Sequence, residues 1–238
     1  MTFEDKIRSL ALKAEKVAPT LETEEATKNA LIMPFIAALG YDVFDPEEVV
    51  PEFTADVGIK KGEKVDYALR QNGEVVILIE AKKAKASLGN SHSSQLFRYF
   101  TVTKARIAIL TNGVVYRFFS DLEEPNKMDE KPFLELDLLN LRENLLSEVA
   151  KLSKDQFDLN NLLSTAVDLK SIKDIRSVLE TWFETPDDEL LKLLFQRVTK
   201  PKTSRLTSGA KERFSSLVVS AFNQIGRASC RERVSSPV

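Results

Sequence analysis

Cysteine and histidine are nearly missing from this chain: 238 residues contain one of each, Cys230 and His92. With a single thiol near the C-terminus, a disulfide framework and a cysteine-ligated zinc site are both excluded, and so is thiol catalysis from the body of the chain. Long apolar runs are missing too. No window approaches the ~20 apolar residues of a membrane span, and the opening MTFEDKIRSL carries acids where a secretory signal needs an apolar stretch. A membrane role is therefore not expected, and the expected location is the cytoplasm. Also absent is any GxxxxGK pattern followed by Ser or Thr, so the chain carries no nucleotide-driven motor of the phosphate-loop kind.

What is present suits an ordinary folded protein. Hydrophobic residues make up 43% and charged residues 29%, enough apolar material for a core and too little net charge for a disordered chain. The last stretch, IGRASCRERVSSPV from Ile225, breaks the pattern: apolar periodicity stops and three arginines stand among small polar residues. Its run from Ile225 to Val234 resembles the read-through translation of a common sequencing adapter, and residues 225–238 are expected to be a non-native tail. Without that tail's three arginines and one glutamate, the net charge of −2 becomes −4. Any nucleic-acid surface must then be a local patch, because phosphate binding draws on clustered Lys and Arg. Lys82, Lys83, Lys85 and Arg98 supply one such cluster, although a solvated charged loop accounts for Lys83 and Lys85 equally simply.

Periodicity divides the chain. Phe3, Ile7, Leu10, Ala14 and Val17 recur at helical spacing, and a second helix is expected over 23–39, ended by Gly40 and kinked at Pro34. The period then changes: EVVPEF, KVDYAL and VVILIEAK read as strands, SSQLFRYFTV as a helix, and RIAIL and VVYRFF as strands joined at Asn112-Gly113. Beyond Leu141 no strand pattern survives. TPDDELLKLLFQRV predicts a helix with Thr185 as N-cap and Pro186 at its first position, and another helix is expected over 211–224. The expected architecture is α/β, a mixed sheet flanked by helices over 1–140, followed by a helical region over 141–224.

The chemistry concentrates at one strand end. VVILI is apolar enough to be buried on both faces, yet it runs into Glu80, Ala81 and Lys82, with Asp66 on the strand before it. Buried ionised groups are costly unless paired or bound to a metal. Alternation sets Val76, Leu78, Glu80 and Lys82 on one face, and Asp66 joins Glu80 only in a suitable hairpin register. A two-residue Asn72-Gly73 turn would pair Asp66 with Ile79. A three-residue Gln71-Asn72-Gly73 loop with a G1 bulge would pair it with Leu78, next to Glu80, and is the expectation here. Two converging carboxylates with the Ala81 carbonyl beside them suit a hard cation, Mg²⁺ or Mn²⁺, and Lys82 next to it could serve phosphoryl chemistry. The same residues would equally form a structural ion pair at a sheet edge. Gln95 and Tyr99, four apart, share a helical face and can look back at the strand ends together.

Asp66, then Glu80-Ala81-Lys82, then Gln95-Leu-Phe-Arg-Tyr99, on strand, strand and helix, resemble the PD-(D/E)xK nuclease superfamily. More narrowly, TEEATKNALIMPFIAALGYDVFDP, KVDYAL, LIEAKK, SQLFRYF and AILTNGVVYRFFSDL are similar to the N-terminal endonuclease domain of type I restriction enzyme restriction subunits, especially short prophage-type homologues. The resemblance covers about residues 20–140. It implies a restriction-endonuclease-like core and Mg²⁺-dependent DNA cleavage, with Asp66 and Glu80 on the metal, Lys82 assisting, and Gln95 and Tyr99 positioning the DNA backbone or the lysine. It also implies a helix acid completing the site, Glu25 ahead of Glu24. Val65 stands where the family name has proline. DNA is the implied partner, with a restriction or phage-defence protein as a second. The rival reading is a module that keeps this fold and binds DNA or a partner without cleaving. His92, in the loop GNSHSSQ, reads as solvated.

Overall fold

A computed structural model describes residues 1–54, 64–89, 94–198 and 206–234, excepting the side chains of Gln95 and 226–234. His92 and residues 55–63 lie outside the described residues. The chain packs as two compact units, Met1–Lys170 and Ser171–Val238.

The first unit is built on a six-stranded mixed sheet in sequence order: β1 (Val49–Phe53), β2 (Val65–Gln71), β3 (Glu74–Ala81), β4 (Ile107–Thr111), β5 (Val115–Phe119) and β6 (Leu134–Asp137). Only β3 and β4 run parallel, and the connection that crosses between them contains α4 (Ser94–Val102). The other neighbours are antiparallel. A parallel pair in the middle, covered on both faces, explains why VVILI and IAIL are apolar without alternation.

One face carries the larger core. Ile77, Ile79, Ile107 and Ile109 meet Ile7 and Leu10 of α1 (Phe3–Val17), Leu31, Ile32 and Phe35 of the second helical segment, Leu146 and Val149 of α5 (Glu143–Ala150), and Leu162 and Ala166 of α6 (Leu159–Glu184). Each buried Ile or Leu contributes roughly 1.5–3 kcal/mol, so this layer supplies most of the apolar stabilisation. On the other face α4 seats Leu96, Tyr99 and Phe100 against Ala68, Leu78, Ala108 and Leu110. Because α5 and the start of α6 belong to the large core, the first unit extends past residue 140 to Lys170.

The helical segment expected over 23–39 is divided in three. Thr23 caps α2 (Glu24–Thr27) by accepting the Ala26 N–H at 3.1 Å, a π turn spans Lys28–Ile32, and α3 (Met33–Ala38) follows. Pro34 has no N–H to continue an α-helical ladder, and its ring crowds the preceding turn. The wide turn, closed by the Met33 N–H on the Lys28 carbonyl, accommodates it without a break. Gly40 ends the helix at φ 91° as expected.

The hairpin between β2 and β3 corrects the expected register. Its turn has two residues, Asn72 and Gly73, both at positive φ (52° and 80°), with Gln71 paired to Glu74 and Arg70 to Val75. The register then shifts between Leu69 and Arg70, so that Leu69 faces Ile77 and Tyr67 faces Ile79. Val76 is the extra residue of this bulge: it packs with Ile77 into the same core cluster, not with Leu78 as strict alternation requires. Carried one residue on, the register sets Asp66 opposite Glu80. Turn chemistry alone would have set Asp66 against Ile79, and the bulge corrects it.

Two further differences are local. No element was expected over PFLELDLLN, yet it forms β6 as an edge strand, with Leu134 and Leu136 buried and Glu135 exposed. In the second unit α7 (Asp188–Val198) starts later than expected: Asp187, not Thr185, is the cap, accepting the Leu190 N–H at 2.8 Å and the Trp182 indole N–H at 2.9 Å. That unit also holds α8 (Ser208–Val234), where Phe222 stacks on Phe183 at 4.5 Å and Phe214 lies edge-on to Phe195 at 5.3 Å. No helix among the described residues is long and apolar enough to cross a membrane.

Gly113, in the β4–β5 turn, has φ 77°, and a Cβ there would lie 2.8 Å from Thr27 Cγ2 and 3.0 Å from Leu31 Cβ. Gly73 has a similar φ of 80° with nothing within 4 Å. Gly113→Ala is expected to destabilise the chain by about 2–4 kcal/mol, combining the left-handed backbone with overpacking. Gly73→Ala should cost about 1 kcal/mol. Urea unfolding of the two variants side by side checks this, and equal costs would contradict it.

Candidate metal and phosphodiester site

β3 leaves the sheet between two partners, and its end is tied down on both sides. The Lys82 N–H donates to the Thr111 carbonyl of β4 at 2.8 Å, while the Ala81 N–H donates to Asp66 Oδ2 at 2.7 Å. Two residues further on, the Ala84 N–H donates to Thr27 Oγ1 at 3.0 Å, and the same hydroxyl donates to the Thr23 carbonyl at 2.9 Å. Thr27, fully buried, thereby fixes α2 over the strand ends. Asn112 secures the loop beyond, donating from Nδ2 to the Ala86 carbonyl at 2.8 Å and accepting the Val114 and Val115 N–H groups on Oδ1.

Charges from three elements meet here. Glu80 is only 4% exposed. Its Oε1 accepts from Lys82 Nζ at 2.7 Å, and the same ammonium donates to the Ala81 carbonyl at 2.7 Å. Glu80 Oε2 is buried with no hydrogen-bond partner. Asp66 Oδ1 is ion-paired with Lys28 Nζ, which also lies 3.0 Å from Glu25 Oε1 and 3.5 Å from Glu24 Oε1. Glu24 Oε2 stands 3.9 Å from Lys82 Nζ. Glu24 therefore touches both lysines, whereas the expected helix acid, Glu25, pairs with Lys28 from a largely exposed position.

Burial raises the Glu80 carboxyl to about 7, with repulsion from Asp66 adding to it and Lys82 opposing. For Lys28 burial works against the charge, but Asp66 and Glu25 outweigh it and hold the ammonium above its ordinary range.

Lys28 escaped the sequence reading. It is a lysine with 5% exposure, on a helix whose neighbouring Leu31 and Ile32 are core. The only signal was its position three and four residues after Glu25 and Glu24, a spacing that also describes any solvated helix face.

The remaining predicted residues differ in exposure. Tyr99 is fully buried in the second core cluster, its ring edge-on to Phe53 at 6.2 Å. Arg98 is half-buried on α4, and Lys83 and Lys85 are exposed on the loop after β3. The Gln95 side chain lies outside the described residues.

Asp66, Glu80 and the Ala81 carbonyl form an all-oxygen donor set with one buried acceptor, Glu80 Oε2, left open. These groups fit a hard divalent cation. Among the described residues no three His, Cys, Asp or Glu side chains are grouped so as to hold a metal by themselves. The set is two carboxylates and a carbonyl.

Residues 59–127 match the family model of the type I restriction enzyme R protein N terminus. The match covers under a third of the chain and contains Asp66, Glu80, Ala81, Lys82, Gln95 and Tyr99. The chain is thus similar to a restriction enzyme component over the strands and helix that carry the motif. Glu24, Glu25 and Lys28 lie before the matched span. No curated protein and no solved structure matches the chain.

Because the folded chain raises the Glu80 pKa from 4.5 to about 7, the protonated acid is favoured in the folded state. The resulting stabilisation is complete below the unfolded value and is lost as pH rises through about 7. Gln does not titrate. In the absence of divalent metal, the stability of Glu80→Gln relative to wild type should therefore rise by about 2–3 kcal/mol between pH 4 and pH 8. Denaturant titrations at several pH values check this, and a difference independent of pH would contradict it.

Proposed function

We propose that the chain is a Mg²⁺- or Mn²⁺-dependent deoxyribonuclease of the restriction type, hydrolysing phosphodiester bonds at the end of β3. The observation that carries the reading is the pairing of Asp66 with Glu80 across β2 and β3, with Lys82 on Glu80 Oε1 and Glu80 Oε2 buried without a partner. An ordinary structural ion pair satisfies its partners, whereas Glu80 keeps one oxygen buried and unmatched.

Asp66, Glu80 and the Ala81 carbonyl would hold the cation. Such a cation, when bound, polarises a phosphate and makes water a stronger nucleophile. The chain's own groups do the rest. Glu80 must be ionised to serve; burial opposes this and a bound cation would favour it. Lys82 Nζ must leave the Ala81 carbonyl and the Glu80 carboxylate, and its ammonium is then available to the negative charge that develops on the phosphate oxygens. Asp66 keeps its bond to the Ala81 N–H throughout, so the end of the strand stays fixed while Lys82 moves. Lys83 and Lys85, exposed on the adjoining loop, and Arg98 on α4 are assigned to the DNA backbone. The intact acid, acid and lysine favour cleavage over a module that only binds. A partner in restriction or phage defence belongs to the same reading, since type I restriction enzymes, which the matched family model describes, work with other subunits.

Asp66→Asn, Glu80→Gln and Lys82→Ala are each expected to lower plasmid nicking in Mg²⁺ by at least about 100-fold, to the level seen with EDTA. Unchanged nicking in all three would assign the activity to a contaminant and defeat the proposal. DNA binding without metal-dependent turnover by the wild-type chain would replace it with the binding-module reading.

A further inference from the structure

Lys28 has no part in the reading above, and its surroundings ask for one. A lysine with 5% exposure sits among three carboxylates from two elements: Asp66 Oδ1 on β2, Glu25 Oε1 at 3.0 Å and Glu24 Oε1 at 3.5 Å on α2. Burying an ammonium is costly, so a helix over a sheet would ordinarily place Leu or Met there. The backbone is shaped around it as well, since the π turn begins at Lys28 and Thr27 pins the preceding turn to the end of β3.

We infer that Lys28 is a built-in cation that takes the place of a second divalent ion and limits this site to one metal. Resting on the metal-site reading above, the inference is carried by position and charge. Glu24, Glu25, Asp66 and ionised Glu80 contribute four negative charges and Lys28 and Lys82 two positive, a balance that one divalent ion neutralises. Lys28 and Lys82 share Glu24 but otherwise hold different acids. Lys82 holds Glu80 Oε1 and the Ala81 carbonyl and is one-fifth exposed, free to move aside for an incoming ion. Lys28, at 7% side-chain exposure, holds Asp66 Oδ1 and both helix acids. Its ammonium fills the point on which Asp66, Glu25 and Glu24 converge, the place a second ion would need. Lys28 is thus a positioning residue: it fixes Asp66, through one oxygen, while the Ala81 N–H fixes the other.

The test counts ions. The full chain is titrated with Mn²⁺, free ion being followed by electron paramagnetic resonance, for wild type, Lys28→Gln and Lys28→Arg. One Mn²⁺ per chain is expected in wild type and in Lys28→Arg, which keeps the cation, and two in Lys28→Gln, whose site is one charge more negative. Two ions in wild type, or one in Lys28→Gln, overturns the inference and leaves the metal site standing. No Mn²⁺ bound by wild type defeats the metal site and the inference together. A second measurement needs no risky variant. The ¹⁵N resonance of the Lys28 ammonium, identified by its loss in Lys28→Arg, should survive saturation of wild type with Mg²⁺. Its disappearance on saturation would show that metal displaces Lys28 and would overturn the inference.

Discussion

Asp66 and Glu80 bring two negative charges to the buried end of a central strand, and much of the first unit's local geometry answers that single constraint. Neither acid could stay there alone. Asp66 is held by a backbone N–H and a buried ammonium, and Glu80 by Lys82 on one oxygen only. The difference between them is the useful part. Asp66 is fully matched and fixed, while Glu80 is under-matched, and burial has lifted its pKa to about 7. One carboxylate of the pair is anchored, and the other is the one that burial disturbs.

The scaffold that produces this pair is assembled from small irregularities. A two-residue turn aligns β2 and β3 one residue away from the useful register, and the bulge at Val76 restores it. Pro34 would break an ordinary helix, and the π turn absorbs it while presenting Lys28 inward. Gly113 lets the β4–β5 turn come against Thr27 and Leu31, and Tyr116 reaches the same helix with its hydroxyl on the Leu31 carbonyl at 3.2 Å. Among its described residues the second unit has none of them: its helices meet through Phe183 and Phe222, and Phe195 and Phe214, a packing that needs no special backbone.

Most strands were legible because their apolar runs are short and bounded by Gly, Asn or charge, and the Asp66, Glu80 and Lys82 spacing was legible because charge at the end of VVILI is expensive. The register was not. Turn rules describe the loop and cannot see a bulge four residues away, so the three-residue loop was the wrong route to a pairing of the right kind. Lys28 was hidden for a different reason: spacing on a helix reports which residues share a face, and only the sheet packed beneath decides whether that face is wet. Tyr99, which shares a helical face with Gln95, has its ring in the core because the apolar face of α4 is wide enough to include it. β6 was missed because four residues with two buried leucines give too little alternation to stand out. At α7, Asp187 out-competes Thr185 as a cap because it also accepts from Trp182, a contact that no local rule contains.

The most direct test of the account is to locate the metal. Crystals of the chain soaked in Mn²⁺ and measured at the manganese absorption edge should show one anomalous peak, in contact with Glu80 Oε2, Asp66 and the Ala81 carbonyl, with Lys82 Nζ moved off that carbonyl and Lys28 still on Asp66. A chain that gives no peak at the end of β3 under saturating Mn²⁺, with Lys82 still closed on Glu80, would contradict the account and leave these charges as an ion-paired sheet end.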